Sequence, residues 1–543
     1  MTVDNTMWRE IRDAKKAEQR RRIPSEWLLQ GALLDEAEAA VDKRGYAARS
    51  GILTVEELGI TGRDATHLVA AMADGALTAE KVVTAFCKRC AIGQQLCNYL
   101  TEVMFREAIE EARKLDDHFR ETGKAKGPLH GLPMTVKECF NVRGFASSNN
   151  YVSRAFHIAE HDSYLVELLK NAGAVIIAKT NTPQTMMCAD TNNNLFGLTK
   201  NPVVSHLTAG GSSGGEGSVV AFRGCALGIG TDVGGSIRIP AAAQGVYGFK
   251  PSSGLLPMLG SEPSTWAGTN TGVPAVCGPL ANSLGDMELL VKTVRASAPW
   301  MLDPTTIPYI YETITPARRP VIGVIRQSGL TLHPPVRRAI EEAVTRLQAA
   351  GFEVREFVPP DFAIIKKITA ELFTLDGLSY ARQELSRTGE PVLESIVKLG
   401  LWQRSAKTPE EMWKWNAQKA AYQRQMHAAW TAAGINIALC PAGPHSAVAP
   451  GDWSNTMYTV CWNGVDYPAA IIPFSKVDPA VDQPDETFKP LDSFDAQVDT
   501  NIQALFDPEF LKGAPVALQL IGMKWKDADL LRDVEVIDAV LRM

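Results

Sequence analysis

The stretch GIGTDVGGSIRIP, at residues 228–240, is the part of the sequence that says most about fold and chemistry. An apolar, strand-like run leads into a tight turn that the two adjacent glycines, Gly234 and Gly235, permit. Backbone N–H groups from Val233 to Ser236 can then converge on one point while the Ser236 hydroxyl is presented beside them. Such an arrangement of donors stabilises a developing oxyanion. The stretch therefore predicts a serine nucleophile on a loop that follows a buried strand.

Two opposite charges, Asp232 and Arg238, flank this turn, and we expect them to support the loop as an ion pair. A serine nucleophile also needs a base. None of the nine histidines lies in the glycine-rich stretch beyond His206, which precedes it. A lysine can act as the base if burial lowers its pKa. Lys137 ends the strand-like run GLPMTVK (131–137), but the spacing alone is equally compatible with an ion-paired or snorkelling lysine.

A second glycine-rich element, GGSSGGEGS at residues 210–218, offers an alternative. It lacks the Gly-Lys-Ser/Thr ending of a nucleotide-binding P-loop. It does contain the G-x-S-x-G pattern of a hydrolase nucleophile elbow, which would make Ser213 the nucleophile of an α/β-hydrolase-type esterase. Of the downstream histidines, His445 alone follows a predicted strand in a loop and could serve as its base. This alternative stays open at this point.

The composition excludes several classes of function. With 543 residues and a net charge of −6, the chain has no basic surface for nucleic acid. No window approaches the roughly 20 apolar residues of a membrane span, and no signal peptide is evident, so we expect a cytoplasmic protein. Nine cysteines, an odd number, indicate reduced thiols. The pair Cys87 and Cys90 lies in a helical stretch without a second pair, so we expect no metal site.

The hydrophobic pattern along the chain is typical of an α/β protein. Residues up to about 120 have helical periodicity, and the basic run 15–22 is expected to be the solvated face of a helix. Short apolar runs follow, and they predict strands at 174–178, 435–440 and 515–521, with a helix at 164–170 among them. We expect an N-terminal helical arm over residues 1–60 and a catalytic domain over 61–543, with an irregular excursion at 477–513.

Three motifs taken together resemble the amidase signature family. They are GLPMTVK (131–137), GGSSGGEG (210–217) and GTDVGGSIR (230–238), in which Ser236 follows Ser212 by 24 residues and Lys137 by 99. Further similar positions are AGAVIIAKTNTP (172–183), GFKP (248–251) and GAPVALQLIG (513–522), so the resemblance covers residues 60 to 543. RIPSEW (22–27) and WNGVDYP (462–468) are similar to fungal acetamidase-type general amidases in particular.

The resemblance implies a single large α/β/α domain around a central mixed, twisted sheet, with no cofactor. It implies that Ser236 attacks an amide carbonyl and that Ser212, in a cis peptide, relays the proton to Lys137. Val233, Gly234, Gly235 and Ser236 would supply the oxyanion donors, and Met186 would line the acyl pocket. Ser213 would then move to a supporting place in its loop.

Two other classes share the three motifs. One is an amidotransferase subunit that passes ammonia to a charged tRNA, against which stand the acidic net charge and the N-terminal arm. The other is a non-catalytic binding protein, which would have no physical need for a buried lysine beside two serines. The expected partner is a small-molecule amide, with a homodimer as a further option.

Overall fold

An eleven-stranded β-sheet organises the computed structural model, which describes residues 6–266, 268, 272–308, 311, 319–485, 487–490 and 496–543. Its strands are β1 Leu100–Val103, β2 Pro133–Lys137, β3 Val175–Thr180, β4 Leu227–Asp232, β5 Tyr247–Lys250, β6 Val276–Ala281, β7 Ile322–Val324, β8 Val354–Glu356, β9 Ile437–Pro441, β10 Ala469–Lys476 and β11 Pro515–Ile521. The strand order is β1-β3-β2-β4-β6-β5-β10-β11-β9-β7-β8. The sheet is mixed: the pairs that β2 forms with β3 and β4 and that β7 forms with β8 and β9 are parallel, and the other pairs are antiparallel.

Nineteen α-helices accompany the sheet over the described ranges. They are α1 Met7–Arg21, α2 Gly31–Ala39, α3 Tyr46–Arg49, α4 Val55–Thr61, α5 Ala65–Ala73, α6 Ala79–Cys97, α7 Phe105–Thr122, α8 Tyr164–Asn171, α9 Gly214–Ala221, α10 Arg238–Gln244, α11 Leu284–Ala296, α12 Pro334–Ala349, α13 Phe362–Phe373, α14 Ser379–Thr388, α15 Glu394–Lys398, α16 Pro409–Ala433, α17 Met457–Gly464, α18 Ala496–Gln503 and α19 Asp527–Leu541. Within the part of the chain that the structure describes, none of them has the length and apolar character of a membrane span.

Three neighbouring strands, β3, β2 and β4, bring two of the predicted motifs to one edge of the sheet. β2 lies parallel to both β3 and β4, and all three strands are buried along their length. Buried parallel strands are typically near-continuous apolar runs, which explains why β2 and β3 are predictable from sequence. Because the carboxyl ends of parallel neighbours meet at the same sheet edge, Lys137 at the end of β2 lies close to Thr231 and Asp232 at the end of β4.

The α/β class and a single mixed sheet are confirmed. The strands predicted at 174–178, 435–440 and 515–521 are β3, β9 and β11, and the predicted helix at 164–170 is α8. One expectation was wrong: β1 interrupts the stretch expected to be helical up to residue 120. It pairs antiparallel with β3 and so completes the end of the sheet, a long-range contact that local periodicity does not encode. All nine cysteines are free and buried.

The excursion expected at 477–513 is only partly irregular, because its described residues include helix α18. Residues 486 and 491–495 of this segment lie outside the described ones.

Much of the described N-terminal segment, from Ile23 to Ile60, packs into the same hydrophobic core as the sheet. Ile23, Trp27, Leu29 and Tyr46 are buried members of that core. The arm boundary at residue 60 therefore marks a change in sequence character, while the apolar packing is continuous across it. The division of the chain at residue 60 stays a prediction.

Helix α1 also docks onto β1 through polar contacts. Gln19 Nε2 donates to the carbonyl oxygens of Leu100 at 2.7 Å and Thr101 at 3.1 Å, and Arg22 Nε donates to that of Val103 at 2.5 Å. These bonds fix the helix along the strand.

The expectation that the run 15–22 is solvated was wrong for Lys15. This side chain is 1% exposed, and its Nζ lies 2.6 Å from Glu102 Oε1 and 3.2 Å from Glu18 Oε2. Burial raises the pKa of Glu102 to about 7, against the opposing effect of Lys15. Glu102 belongs to β1, so the arm is held to the sheet by a buried ion pair that the helical pattern of α1 could not reveal.

Replacing Lys15 by Met should destabilise the protein by about 3–5 kcal/mol, because it leaves Glu102 as a buried carboxylate without its partner. The penalty should be smaller in mild acid than in mild base. The pKa of Glu102 is already raised in the folded state and should rise further without Lys15, so stability is lost as the pH increases through that range. Urea unfolding at two pH values measures this. Lys16→Met, at an exposed neighbouring position, is the control and should leave the free energy of unfolding nearly unchanged; equal effects of both substitutions would contradict the ion pair.

Candidate active site

The side chain of Lys137 lies at the centre of the candidate site. Its Nζ donates hydrogen bonds to Ser212 Oγ and to Thr231 Oγ1, both at 2.7 Å. Lys137 is fully buried, at the end of a strand that lies between the buried strands β3 and β4. Ser212 comes from the glycine-serine loop and Thr231 from β4. Three separate segments therefore meet at one nitrogen atom.

Burial lowers the pKa of Lys137 to about 8. Three acidic groups oppose this shift: the Cys139 thiol two residues later, Asp232 at the end of β4 and Glu216 on α9. Glu216 opposes it weakly, since burial raises the pKa of its own carboxyl to about 8, even with hydrogen bonds of 2.7 Å from the hydroxyls of Thr135 and Thr180. A lysine with this pKa is partly neutral near neutral pH and can accept a proton.

The two serines of the glycine-serine loop have different surroundings: Ser212 contacts Lys137, whereas Ser213 is bonded to β4. The peptide bond between Gly211 and Ser212 is cis. The Ser213 hydroxyl is buried, donates to the Thr231 carbonyl and accepts from the Thr231 N–H, both at 3.2 Å. It therefore holds the loop against β4, as a supporting residue would.

The elbow alternative would require His445 beside Ser213. The Nδ1 atom of His445 instead bonds to the Ser446 carbonyl at 2.8 Å, and its ring packs against Trp453 at 4.8 Å. Burial lowers its pKa to about 4. The hydrogen-bonded Ser213–His445 pair that an elbow mechanism needs is absent from the described part of the chain.

The loop after β4 presents Ser236, which is 9% exposed. Gly235 makes the turn with a φ of 128°, and a Cβ at this position would lie 2.4 Å from Thr459 Oγ1. The Gly235 N–H donates to Asp232 Oδ1 at 2.8 Å. One of the four expected oxyanion donors, the Gly235 N–H, is therefore already bonded to a carboxylate and shapes the loop instead. The N–H groups of Val233, Gly234 and Ser236 remain as candidate donors.

Asp232 and Arg238 form a buried pair beneath this loop. Arg238 Nη2 lies 3.0 Å from Asp232 Oδ1, and its Nε lies 3.1 Å from Oδ2. Arg238 also donates to Gln519 Oε1 at 2.8 Å and to Asn463 Oδ1 at 2.6 Å. Although burial opposes ionisation, Arg238 holds the pKa of Asp232 well below its usual range. The pair thus anchors the loop that carries Ser236 to α17 and β11.

Two cavities meet at Ser236, one of about 280 Å³ and a smaller one of about 130 Å³. The larger one is lined by Ser212 and Thr231, and the smaller one by Gly211 and Gly234. Residues that line both are Met186, Met187, Val233, Ser236 and Phe373. The positive φ of 55° at Met186 is uncommon for a residue with a side chain, a kind of strain that clusters at functional sites. The expected place of Met186 in the acyl pocket stays a prediction.

Several residues of the site were missed by the sequence analysis. Gln519 and Asn463 lie inside motifs quoted above, so a signal for them existed. Thr231 lies one residue before Asp232 and could have been found as the last inward position of its strand. Phe373 and its neighbours on α13 carry no signal, because only the tertiary fold brings that helix to Ser236.

Comparison with known proteins shows extensive similarity. A family model described as Amidase matches residues 81–531. An acetamidase of Emericella nidulans is 34% identical over 552 residues, which cover 98% of each chain. An acetamidase of Aspergillus oryzae is 33% identical over 564 residues, covering 99% of this chain and 100% of the relative. The solved structure of a fatty acid amide hydrolase superposes with a TM-score of 0.93 at 29% identity, covering 100% of this chain and 97% of that one.

Replacing Gly235 by Ala should destabilise the protein by about 2–4 kcal/mol, because a Cβ would meet Thr459 and a positive φ is unfavourable for alanine. Gly234→Ala is the matched control. A Cβ there would have its nearest neighbour, a Phe373 ring atom, at 3.7 Å, which is ordinary contact. Thermal or urea unfolding of the two variants measures the difference; a Gly235→Ala protein as stable as Gly234→Ala would contradict the tight packing of this turn.

Proposed function

The chain belongs to the amidase family, and from this premise we propose that the enzyme, an amidase, cleaves its substrate through Ser236, Ser212 and Lys137. The observation that carries the proposal is the 2.7 Å hydrogen bond between the buried Lys137 Nζ, whose pKa is about 8, and Ser212 Oγ. A lysine of ordinary pKa would stay charged and could not accept a proton.

In the first half of the reaction, Ser236 Oγ attacks the amide carbonyl carbon. Its proton passes to Ser212 Oγ as the Ser212 proton passes to neutral Lys137, so the base acts through a hydroxyl. The carbonyl oxygen becomes an oxyanion, for which the N–H groups of Val233 and Gly234, with that of Ser236, are placed as donors. A single donor of this kind is worth about a hundredfold to a thousandfold in rate.

The second half uses the same relay in reverse. Lys137 returns the proton through Ser212 to the amide nitrogen, the C–N bond breaks, and ammonia or an amine leaves. The acyl group stays on Ser236 as an ester. Water then attacks that ester with the relay again as base, which releases the carboxylic acid. The chain's own side chains and water suffice for every step.

An amidotransferase role has weaker support. The similar relatives named above are acetamidases, and one similar solved structure is a fatty acid amide hydrolase, so their names describe hydrolysis of amides. The names also span short and long acyl groups. We therefore propose that the enzyme hydrolyses carboxylic acid amides and that the cavities at Ser236 determine which acyl groups it accepts.

The rate should increase with pH through a pKa of about 8, because Lys137 must be neutral to accept a proton and is protonated below that pH. We expect kcat/KM for acetamide, followed by ammonia release from about pH 6 to about pH 10, to fall tenfold per pH unit on the acid side. Lys137→Ala should lose activity by several orders of magnitude at every pH. A Lys137→Ala enzyme with the wild-type profile would exclude lysine as the base.

Thr231→Val should lower kcat and move the acid limb of the pH profile to lower pH. The Thr231 hydroxyl accepts a hydrogen bond from Nζ, so removing it takes away an acceptor that stabilises the charged lysine. Thr231→Ser keeps the hydroxyl and should restore both values. The groups that face Lys137 from neighbouring elements, Cys139, Asp232 and Glu216, are unchanged in both variants. A lower kcat with an unmoved limb in Thr231→Val would mean that Thr231 only packs the site.

A further inference from the structure

We propose that the larger cavity is the leaving-group site and that Asp376 selects amides whose amine portion carries a positive charge. The proposal rests on the Ser236–Ser212–Lys137 mechanism above. The substrate class it names is a monoacylated diamine: one nitrogen is acylated, and the other is an ammonium at the end of a short apolar spacer.

The position of the proton donor indicates which cavity binds the leaving group and which binds the acyl group. The relay must deliver a proton to the nitrogen that leaves, so that nitrogen has to lie against Ser212 Oγ. Ser212 lines the larger cavity and is not among the residues that line the smaller one, whereas Gly234, a candidate oxyanion donor, lines only the smaller one. The substituent on the leaving nitrogen therefore points into the larger cavity, and the acyl group points into the smaller.

The sizes of the cavities indicate an N-substituted amide. Ammonia is comparable in size to water, which occupies about 30 Å³ in the liquid. A cavity of about 280 Å³ on the leaving side is far larger than ammonia needs. The acyl side, at about 130 Å³, suits a smaller group, which agrees with the acetamidase names of two relatives.

The residues that line the larger cavity indicate which chemical groups the substituent on the leaving nitrogen has. Val273, Leu372 and Leu375 line it with apolar side chains, which suit a methylene spacer. Two carboxylates, Glu262 and Asp376, also line it. They differ in how far their charge is compensated.

Glu262 is neutralised by Arg154, with which it forms a close ion pair. Asp376 accepts hydrogen bonds from the Leu378 N–H at 2.9 Å, the Ser379 hydroxyl at 3.1 Å and the Tyr380 N–H at 3.2 Å. Over the residues that the structure describes, its hydrogen-bond donors are thus neutral groups at the start of α14, and no cation forms an ion pair with it. A partly enclosed carboxylate of this kind attracts an ammonium group.

The protonation states of enzyme and substrate are compatible. The mechanism needs neutral Lys137, which sets the working pH near or above about 8. An alkylammonium group has an ordinary pKa of about 10.4 and is still charged there. A carboxylate and an ammonium can therefore pair at the pH at which the relay works.

The test compares three acetamides that share the acyl group and the length of the N-substituent, which ends in an ammonium, a methyl or a carboxylate group. We expect kcat/KM to decrease in that order, with about tenfold between the first two, which corresponds to about 1.4 kcal/mol. Asp376→Asn should remove most of the preference for the ammonium compound. The side-chain oxygen of asparagine can still accept from the Leu378 N–H, so the start of α14 should remain intact.

Asp361→Asn is the matched control. Asp361 is an exposed N-cap on α13, accepts from the Ala363 N–H at 2.9 Å and lines neither cavity, so the order of the three amides should not change. Equal kcat/KM for the three amides in the wild type, or an unchanged preference in Asp376→Asn, would overturn the proposal.

Hydrolysis of unsubstituted acetamide tests the proposed mechanism separately from the proposed leaving-group site. If the wild type hydrolyses it and Ser236→Ala does not, the proposed mechanism stands, and a flat series among the three N-substituted amides then overturns the leaving-group site alone. If Ser236→Ala hydrolyses acetamide at the wild-type rate, the proposed mechanism fails, and the leaving-group site fails with it.

Discussion

The structure depends on keeping one lysine nitrogen away from water. Lys137 Nζ is enclosed and shares its hydrogen bonds between Ser212 and Thr231. An amine so placed is costly to charge, and this is the property that the proposed role of Lys137 as a base requires. It can be kept there only because β2 lies between two other buried parallel strands, whose packing compensates for a polar group in the interior. The burial of Lys137 and the packing of the strands around it therefore depend on each other.

The loop that carries Ser236 depends on the opposite end of the chain. Asp232 and Arg238 form the buried pair beneath it, and Gln519 on β11 and Asn463 on α17 satisfy the remaining hydrogen bonds of the guanidinium group. Buried pairs are costly unless all of their donors and acceptors are used. The loop that carries Ser236 is therefore held in place by segments from the second half of the chain.

The sequence predicted what is locally encoded. The Gly234–Gly235 turn, the strand that ends at Lys137 and the strand at 515–521 follow from residue types and periodicity, and they are in the structure. Which N–H groups face a substrate could not be predicted, because the Gly235 N–H is bound by a carboxylate that lies close only after the turn has formed. The cavity walls on α13 come from a segment more than 130 residues beyond Ser236, and no local pattern marks them. The burial of Lys15 was hidden for a similar reason, since its partner lies on a strand that helical periodicity did not suggest.

The contacts between α1 and β1 have a consequence for the behaviour of the chain in concentrated solution. β1 is the last strand on its side of the sheet, and such strands offer unpaired backbone groups on which another chain can add a strand. Here Gln19 and Arg22 already bond to carbonyl groups of β1. The N-terminal helix thus occupies backbone acceptors of this edge strand and leaves fewer of them for pairing with another chain.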